Sequence, residues 1–519
     1  MWSRILLGLG LLLAGCADLA PDAGGIAGHP SSAARFAEFA PSPPLLRAFL
    51  YRMPKGGDLH NHLSGAAYAE ANIRVGAAAG LCFDPKTTTI ARPPCVNGTR
   101  PLTDAVRDAA LTKTLVNAWS MRDFVPTSGN SGHDHFFATF GRFSRVADPA
   151  SMAAEALDRA GRQRMRYIEL MITFQGGTIT DLAGKVHAIR PYRPDDKAGF
   201  QAALMEAGLA TIVRQAAADA TRVEQRMREL QGCATARPSP GCGVTVRWLQ
   251  QVARTAPQPK VFAQTLAGAL LQKAHPHVVG LNFVAPEDDP VALADYTAQM
   301  HMIDHVYRAI PGTKVALHAG ELTLGLVPPE DLLFHIRQAV ELGHASRIGH
   351  GVDIMYEEDA FALLRDMARR KVAVEINLTS NAQILGVQGA DHPFPIYRAA
   401  GVPTVISTDD EGVERVDRTH ELQRAVTTYR LSWADLVGLE RNTLEYAFVA
   451  GDSLWADPVG WRMVGACQGS QPTAAPSPSC AVFLLGSAKA RLQWELERDL
   501  ALFDREAAGM RLGPPSGAP

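Results

Sequence analysis

An excess of charge of either sign is missing from this sequence: its 519 residues carry a formal net charge of −2. That balance leaves no electrostatic footprint for nucleic acid or for an anionic membrane surface. A membrane-spanning segment is missing too, since the apolar run at residues 5–13 is too short to cross a bilayer. No two cysteines stand at CxxC spacing, which argues against a zinc knuckle. No internal repeat is visible, which argues against a solenoid or propeller. What remains is an ordinary globular composition, 47% hydrophobic and 20% charged, long enough for a large core.

Residues 1–15 have a basic start at Arg4, the apolar run, and then the small residues Ala14 and Gly15, the build of a secretory signal peptide. Leu13-Ala14-Gly15-Cys16 also resembles a bacterial lipobox, which implies cleavage before Cys16 and lipidation of its sulfur. The plainer alternative is an ordinary signal peptide cut nearby. Residues 16–45 are rich in Ala, Gly, Pro and Ser and read as a lipidated, flexible tether. The expected location is therefore outside the cytoplasm, on a bacterial membrane through a lipid anchor alone, facing the periplasm or the cell surface. The other six cysteines form close pairs: Cys82 with Cys95, Cys233 with Cys242, Cys467 with Cys480. Sequence leaves many pairings open, and local disulfides are the simplest choice in an oxidising compartment.

Beyond the tether, short β-type runs alternate with Ala/Leu-rich helical stretches. Eight runs read as parallel strands, at residues 57–60, 165–171, 244–249, 277–283, 314–318, 346–350, 372–377 and 404–408. Several are almost continuously apolar, as strands buried on both faces must be. Eight βα units predict an α/β fold, a closed (β/α)8 TIM barrel over residues 46–509 with inserted helical and disulfide-bearing loops. The inserts are expected at about 82–134 and 176–241, and residues 510–519 as a disordered tail.

Polar residues stand at the C-terminal ends of these runs. His60 and His62 are spaced i, i+2 on a strand, which points both imidazoles to one side. His318 ends the fifth strand and Glu321 follows it. His350 ends the sixth, and Asp409-Asp410 end the eighth. Each has an ordinary reading: a core histidine, a helix-capping glutamate, an aspartate N-cap. Their shared place on the catalytic face of a barrel favours a joint site. Three histidines and one aspartate suit zinc, with a water as the remaining ligand. No lysine lies between Lys273 and Lys314 to bridge two metals, so one metal ion per chain is favoured.

The order Met53-Pro54-Lys55, Asp58-Leu59-His60-Asn61-His62-Leu63, HAGE at 318–321, RIGHG at 347–351, Thr379-Ser380-Asn381, His392-Pro393 and Thr408-Asp409-Asp410 resembles the adenosine deaminase family from about residue 50 to 450. That resemblance implies zinc on His60, His62, His318 and Asp409. It implies Glu321 as the general acid/base that protonates a ring nitrogen and then the leaving amine, and His350 as the group that orients the attacking hydroxide. Around the substrate it places His62, Ser64, Ala285 and Asp410, the last hydrogen-bonded to the purine. The implied reaction converts adenosine, or a close purine nucleoside, to inosine and ammonia.

Three positions depart from the family. Ser64 stands where an acidic residue is usual, Ala285 where a glycine approaches the purine, and Glu411 where a proline follows the aspartates. All three are expected around the substrate rather than the metal. They leave open a deaminase of adenine or another aminated heterocycle. A lipid-anchored binding protein without catalysis is the reading from a different class. The aromatic stretch at 134–140 is either a lid over the pocket or an ordinary packing face. A small-molecule purine is the expected partner, with no nucleic acid; the oligomeric state is not legible.

Overall fold

The computed structural model describes residues 29–146 and 148–511. The stretch expected as a signal peptide, Cys16 with its expected lipidation, and tail residues 512–519 lie outside the described residues. Eight parallel strands form the centre: β1 Lys55–His62, β2 Met165–Ile172, β3 Thr245–Ala253, β4 Val278–Val284, β5 Ala316–Ala319, β6 Arg347–His350, β7 Ala373–Ile376 and β8 Thr404–Ile406. They pair in two runs, β1 to β4 and β5 to β8. Parallel bridges Leu281–Val315 and Asn61–Asp409 join the runs at both seams. The sheet is a closed (β/α)8 barrel, as the alternating pattern predicts.

The strands are buried along almost their whole length. For β4, VVGLNFV, hydrophobicity suffices. β1, KGGDLHNH, is polar yet fully buried, and it depends on partners. Lys55 Nζ donates to the carbonyls of Leu50, Met53 and Gln163 at 2.6, 3.0 and 2.9 Å. Deeper in the barrel, Arg347 lies between Glu169 and Glu375, each 2.5 Å away, with the Phe448 ring 3.8 Å from its guanidinium.

Both expected inserts are present. The first carries a three-stranded antiparallel sheet and helices with their own apolar cluster, including Phe83, Trp119, Phe136 and Phe143. The second is three helices, Gly176–Ile189, Lys197–Glu206 and Leu209–Leu230. The cysteines pair locally, Cys82–Cys95, Cys233–Cys242 and Cys467–Cys480. Among the described residues no helix is long and apolar enough to cross a membrane.

The tether expectation needs correction over residues 30–45. Helices Pro30–Phe39 and Pro43–Arg52 occupy it, each with proline in its first turn. The prolines that suggested a flexible linker are helix starters, where the missing N–H costs nothing. Phe36, Phe39 and Phe49 are buried, and Phe49 meets Trp433 and Phe503 with ring centroids 5.7 and 5.1 Å apart. The tail expectation also begins too early, because Met510 packs against the main core. A chain starting at residue 43 should melt several degrees below one starting at residue 29, because buried Phe36 and Phe39 contribute roughly 3 kcal/mol each. Equal melting temperatures in calorimetry would mean that the first helix is a tether after all.

Candidate active site

Strand ends bring the expected residues together. His60 and His62 leave β1 at the seam where Asn61 bridges Asp409, so the first and last strands deliver three of the four donors. β5 supplies the fourth, His318. One donor atom from each of the four lies within 4.8 Å of every other. His62 Nε2 is 3.1 Å from His318 Nε2, and both His60 Nε2 and His62 Nε2 are 3.3 Å from Asp409 Oδ1. Tetrahedral ligands on bonds of zinc length stand about 3.3 Å apart. His60 Nε2 is buried with no hydrogen-bond partner, a costly condition that a cation relieves.

The opposite ring nitrogens are held from behind. His60 Nδ1 lies 2.7 Å from Glu375 Oε2, His318 Nδ1 2.9 Å from Asn282 Oδ1, and His62 Nδ1 3.0 Å from the Gln251 amide. At His60 and His318 an oxygen accepts from Nδ1–H, which fixes the tautomer and leaves Nε2 free as a ligand, whereas the atom beside His62 Nδ1 is the Gln251 side-chain nitrogen. The donor set therefore fits a single zinc ion.

Beside these donors stand Glu321 and His350. Glu321 Oε1 is 3.5 Å from His350 Nδ1. Glu287 accepts from the Gly320 and Glu321 amides at 3.1 and 2.9 Å, fixing the loop that carries the glutamate. Burial, with Asp409 and Glu287 nearby, pushes the Glu321 carboxyl well above the ordinary carboxylate range. Burial likewise pushes His350 down to about 3, keeping the ring neutral. Asn381 Nδ2 lies 2.9 Å from its Nδ1, while its Nε2 has no partner. Asp410 is buried and raised, with Oδ1 unpartnered. Gly65 makes room for it: a Cβ there would fall 1.7 Å from Asp410 Oδ1.

These groups open on a cavity of about 400 Å³, the size of a small-molecule site. Ser64, Ala285 and Asp410 line it, as expected, and so do Phe136, Phe137 and Phe140 of helix Gly132–Phe143. The aromatic stretch fits both of its readings, since Phe136 is also buried in the insert's core. Ala285 adopts φ 80°, a left-handed conformation suited to the glycine it replaces. Glu411 requires a correction: it does not line the cavity. Its carboxylate turns away and accepts from Arg159 Nη2 at 2.7 Å and Asn61 Nδ2 at 3.4 Å.

Glu375 and Gln251 escaped the sequence reading. A carboxylate inside the apolar run VAVEIN is a usable signal for the first. Gln251 follows Gln250 at the end of β3, and nothing local marks which of the two faces the site.

The family model for adenosine deaminase matches residues 144–454. The chain belongs to the adenosine deaminase family. Adenosine deaminases of Vibrio atlanticus and Enterococcus faecalis are 31% identical over 147 residues and 33% identical over 178 residues. Those matches cover 28% and 34% of this chain, and 41% and 47% of the relatives, so the chain spans less than half of their length. A structure of N6-methyl-AMP deaminase from Arabidopsis thaliana aligns over 80% of this chain and 96% of its own, with TM-score 0.49 and 17% identity. The matched family region begins after β1, so His60 and His62 join this adenosine deaminase family site through barrel closure.

Gly349 tests the site's geometry, because a Cβ there would fall 2.5 Å from His60 Cε1. Gly349→Ala should displace that ring and weaken zinc binding at least tenfold, the scale of lost support behind a metal ligand. Competition with a chromophoric chelator measures it; unchanged affinity would remove His60 from the ligand set.

Proposed function

We propose that this protein is a zinc-dependent aminohydrolase that deaminates adenosine or a close purine nucleoside to inosine and ammonia. The observation that carries the reading is the convergence of four metal donors, a buried Glu321 whose carboxyl is pushed up by burial, and His350 on one nucleoside-sized cavity. His60, His62, His318 and Asp409 would hold the ion. Bound there, zinc supplies the Lewis acidity that makes water a competent nucleophile near neutral pH.

The chain's own residues do the rest. An aromatic amine leaves only when the ring nitrogen is protonated and the departing nitrogen neutralised. Glu321, held protonated by burial, delivers a proton to the ring nitrogen. It then takes up the proton of the attacking water and passes it to the leaving amine. Such proton transfer is worth roughly 10²–10⁴-fold. His350 offers its unpartnered Nε2 to orient the nucleophile, and Asp410 offers Oδ1 to another purine nitrogen. The rings of Phe137 and Phe140 exclude water over the base. Among the described residues no lysine or arginine lines the cavity, which favours an uncharged nucleoside over a phosphorylated one. Ser64 and Ala285 set the second reading, an adenine or other aminated heterocycle, because a hydroxyl holds a ribose less firmly than a carboxylate does.

Ammonia release by the soluble domain, tested on adenosine, deoxyadenosine, adenine, AMP and methylthioadenosine, decides between them. Chelator-sensitive turnover of adenosine is expected, with AMP inert. Glu321→Gln should lower kcat by at least about 10² while zinc content stays constant. No turnover of any compound by zinc-loaded protein would leave the binding-protein reading. We place the protein outside the cytoplasm, lipidated on Cys16; three disulfides support an oxidising compartment. Cys16→Ser should release it from the membrane fraction, and retention there would contradict the anchor.

A further inference from the structure

Glu411 departs from the family pattern without touching the cavity, and its partner Arg159 bonds to both the loop that follows β1 and the loop that follows β8. Arg159 lies on helix Pro149–Arg162, which leads into β2, and is buried with 8% of its surface exposed. Its Nη2 donates to Glu411 Oε1 and to the Ala66 carbonyl, both at 2.7 Å. Its Nη1 pairs with Glu155, and its guanidinium lies 4.4 Å from the centroid of the Tyr68 ring. Ala66 closes the turn that carries Ser64. Glu411 directly follows Asp409 and Asp410. Glu411 also accepts from Asn61, the residue between His60 and His62, and Asn61 donates to Thr408 Oγ1 at 2.8 Å. The two loops are pressed together, since a Cβ on Gly412 would fall 2.3 Å from the Ala67 carbonyl oxygen.

We infer that the Arg159–Glu411 pair is a positioning clamp that fixes Asp410 relative to Ser64, and so sets how firmly the two ends of the substrate are held. Neither residue reaches the cavity. The pair acts through the loops it ties, which leave β8 and β1 on either side of the seam. A bidentate-capable guanidinium suits this task, because one rigid fork can serve a carboxylate and a carbonyl together. A proline at 411 would stiffen its own turn but could not reach the neighbouring loop. The clamp thus replaces local stiffness with a bond across the seam. The substrate half of this inference rests on the proposed deaminase reading.

The test is a double-mutant cycle of Arg159→Met and Glu411→Gln, with Arg159→Lys and Glu411→Asp as conservative controls. Hydrogen exchange of the peptides spanning 63–68 and 408–416 is followed together with KM, kcat and zinc content. Each single change should raise KM about tenfold, the scale of a sub-ångström misplacement, with a smaller change in kcat and zinc retained. Exchange in both peptides should speed up. The double variant should be no worse than the poorer single one, and the conservative variants should recover part of the loss. If KM and exchange stay at wild-type values, or if the two changes multiply independently, the clamp is wrong. If the wild type turns over no purine, the deaminase reading fails, and coupled exchange in the two peptides still decides the clamp. Should Arg159→Met not fold, Arg159→Lys and Glu411→Asp carry the same comparison.

Discussion

The site depends on a chain of buried charges inside the barrel. Arg347 is held between Glu169 of β2 and Glu375 of β7, and Glu375 in turn meets His60 Nδ1. Removing one member of such a set would strand a charge in a water-free interior, at a cost of about 3–5 kcal/mol. With all members present, the network ties β1, β2, β6 and β7 together below the metal donors. Arg347 shares β6 with His350, so the strand that neutralises the charge below also presents a buried histidine at the cavity end. Structural burial and chemical function therefore cannot vary independently here.

A second constraint acts at the strand ends. Asp409, His350 and Ala285 adopt φ of 58°, 68° and 80°, all left-handed conformations for residues with side chains. Each costs on the order of 1–2 kcal/mol, and such strain collects where the surrounding structure demands a particular aim. At Asp409 the turn lets backbone bonds run both ways across the seam: its N–H to the His60 carbonyl at 2.9 Å and its carbonyl from the His62 N–H at 3.0 Å. The backbone that closes the barrel is the same backbone that sets the ligands.

The barrel and the first set of site residues were legible because their signals are local. Buried parallel strands are short apolar runs, and a strand end carrying His-x-His or Asp-Asp stands out against them. What supports those residues is not local. Glu375 lies 315 residues from His60, and only folding reveals that they touch. Glu411 was placed wrongly for the same reason: its neighbours in sequence face the cavity, while its carboxylate is drawn backwards by an arginine from another helix. The helices at 30–52 were obscured by composition, since alanine, proline and serine serve a linker and a proline-started helix equally well. The phenylalanines at 36, 39 and 49 were the better signal.

X-ray absorption at the zinc edge of the purified, zinc-loaded protein would show whether barrel closure assembles one nitrogen-rich metal site from β1, β5 and the end of β8. One zinc per chain is expected, with three imidazole nitrogens and oxygen around it at about 2.0–2.1 Å and the imidazole signature reduced in His318→Ala. A shell containing sulfur, an all-oxygen octahedral shell, or a spectrum unchanged by His318→Ala would contradict it.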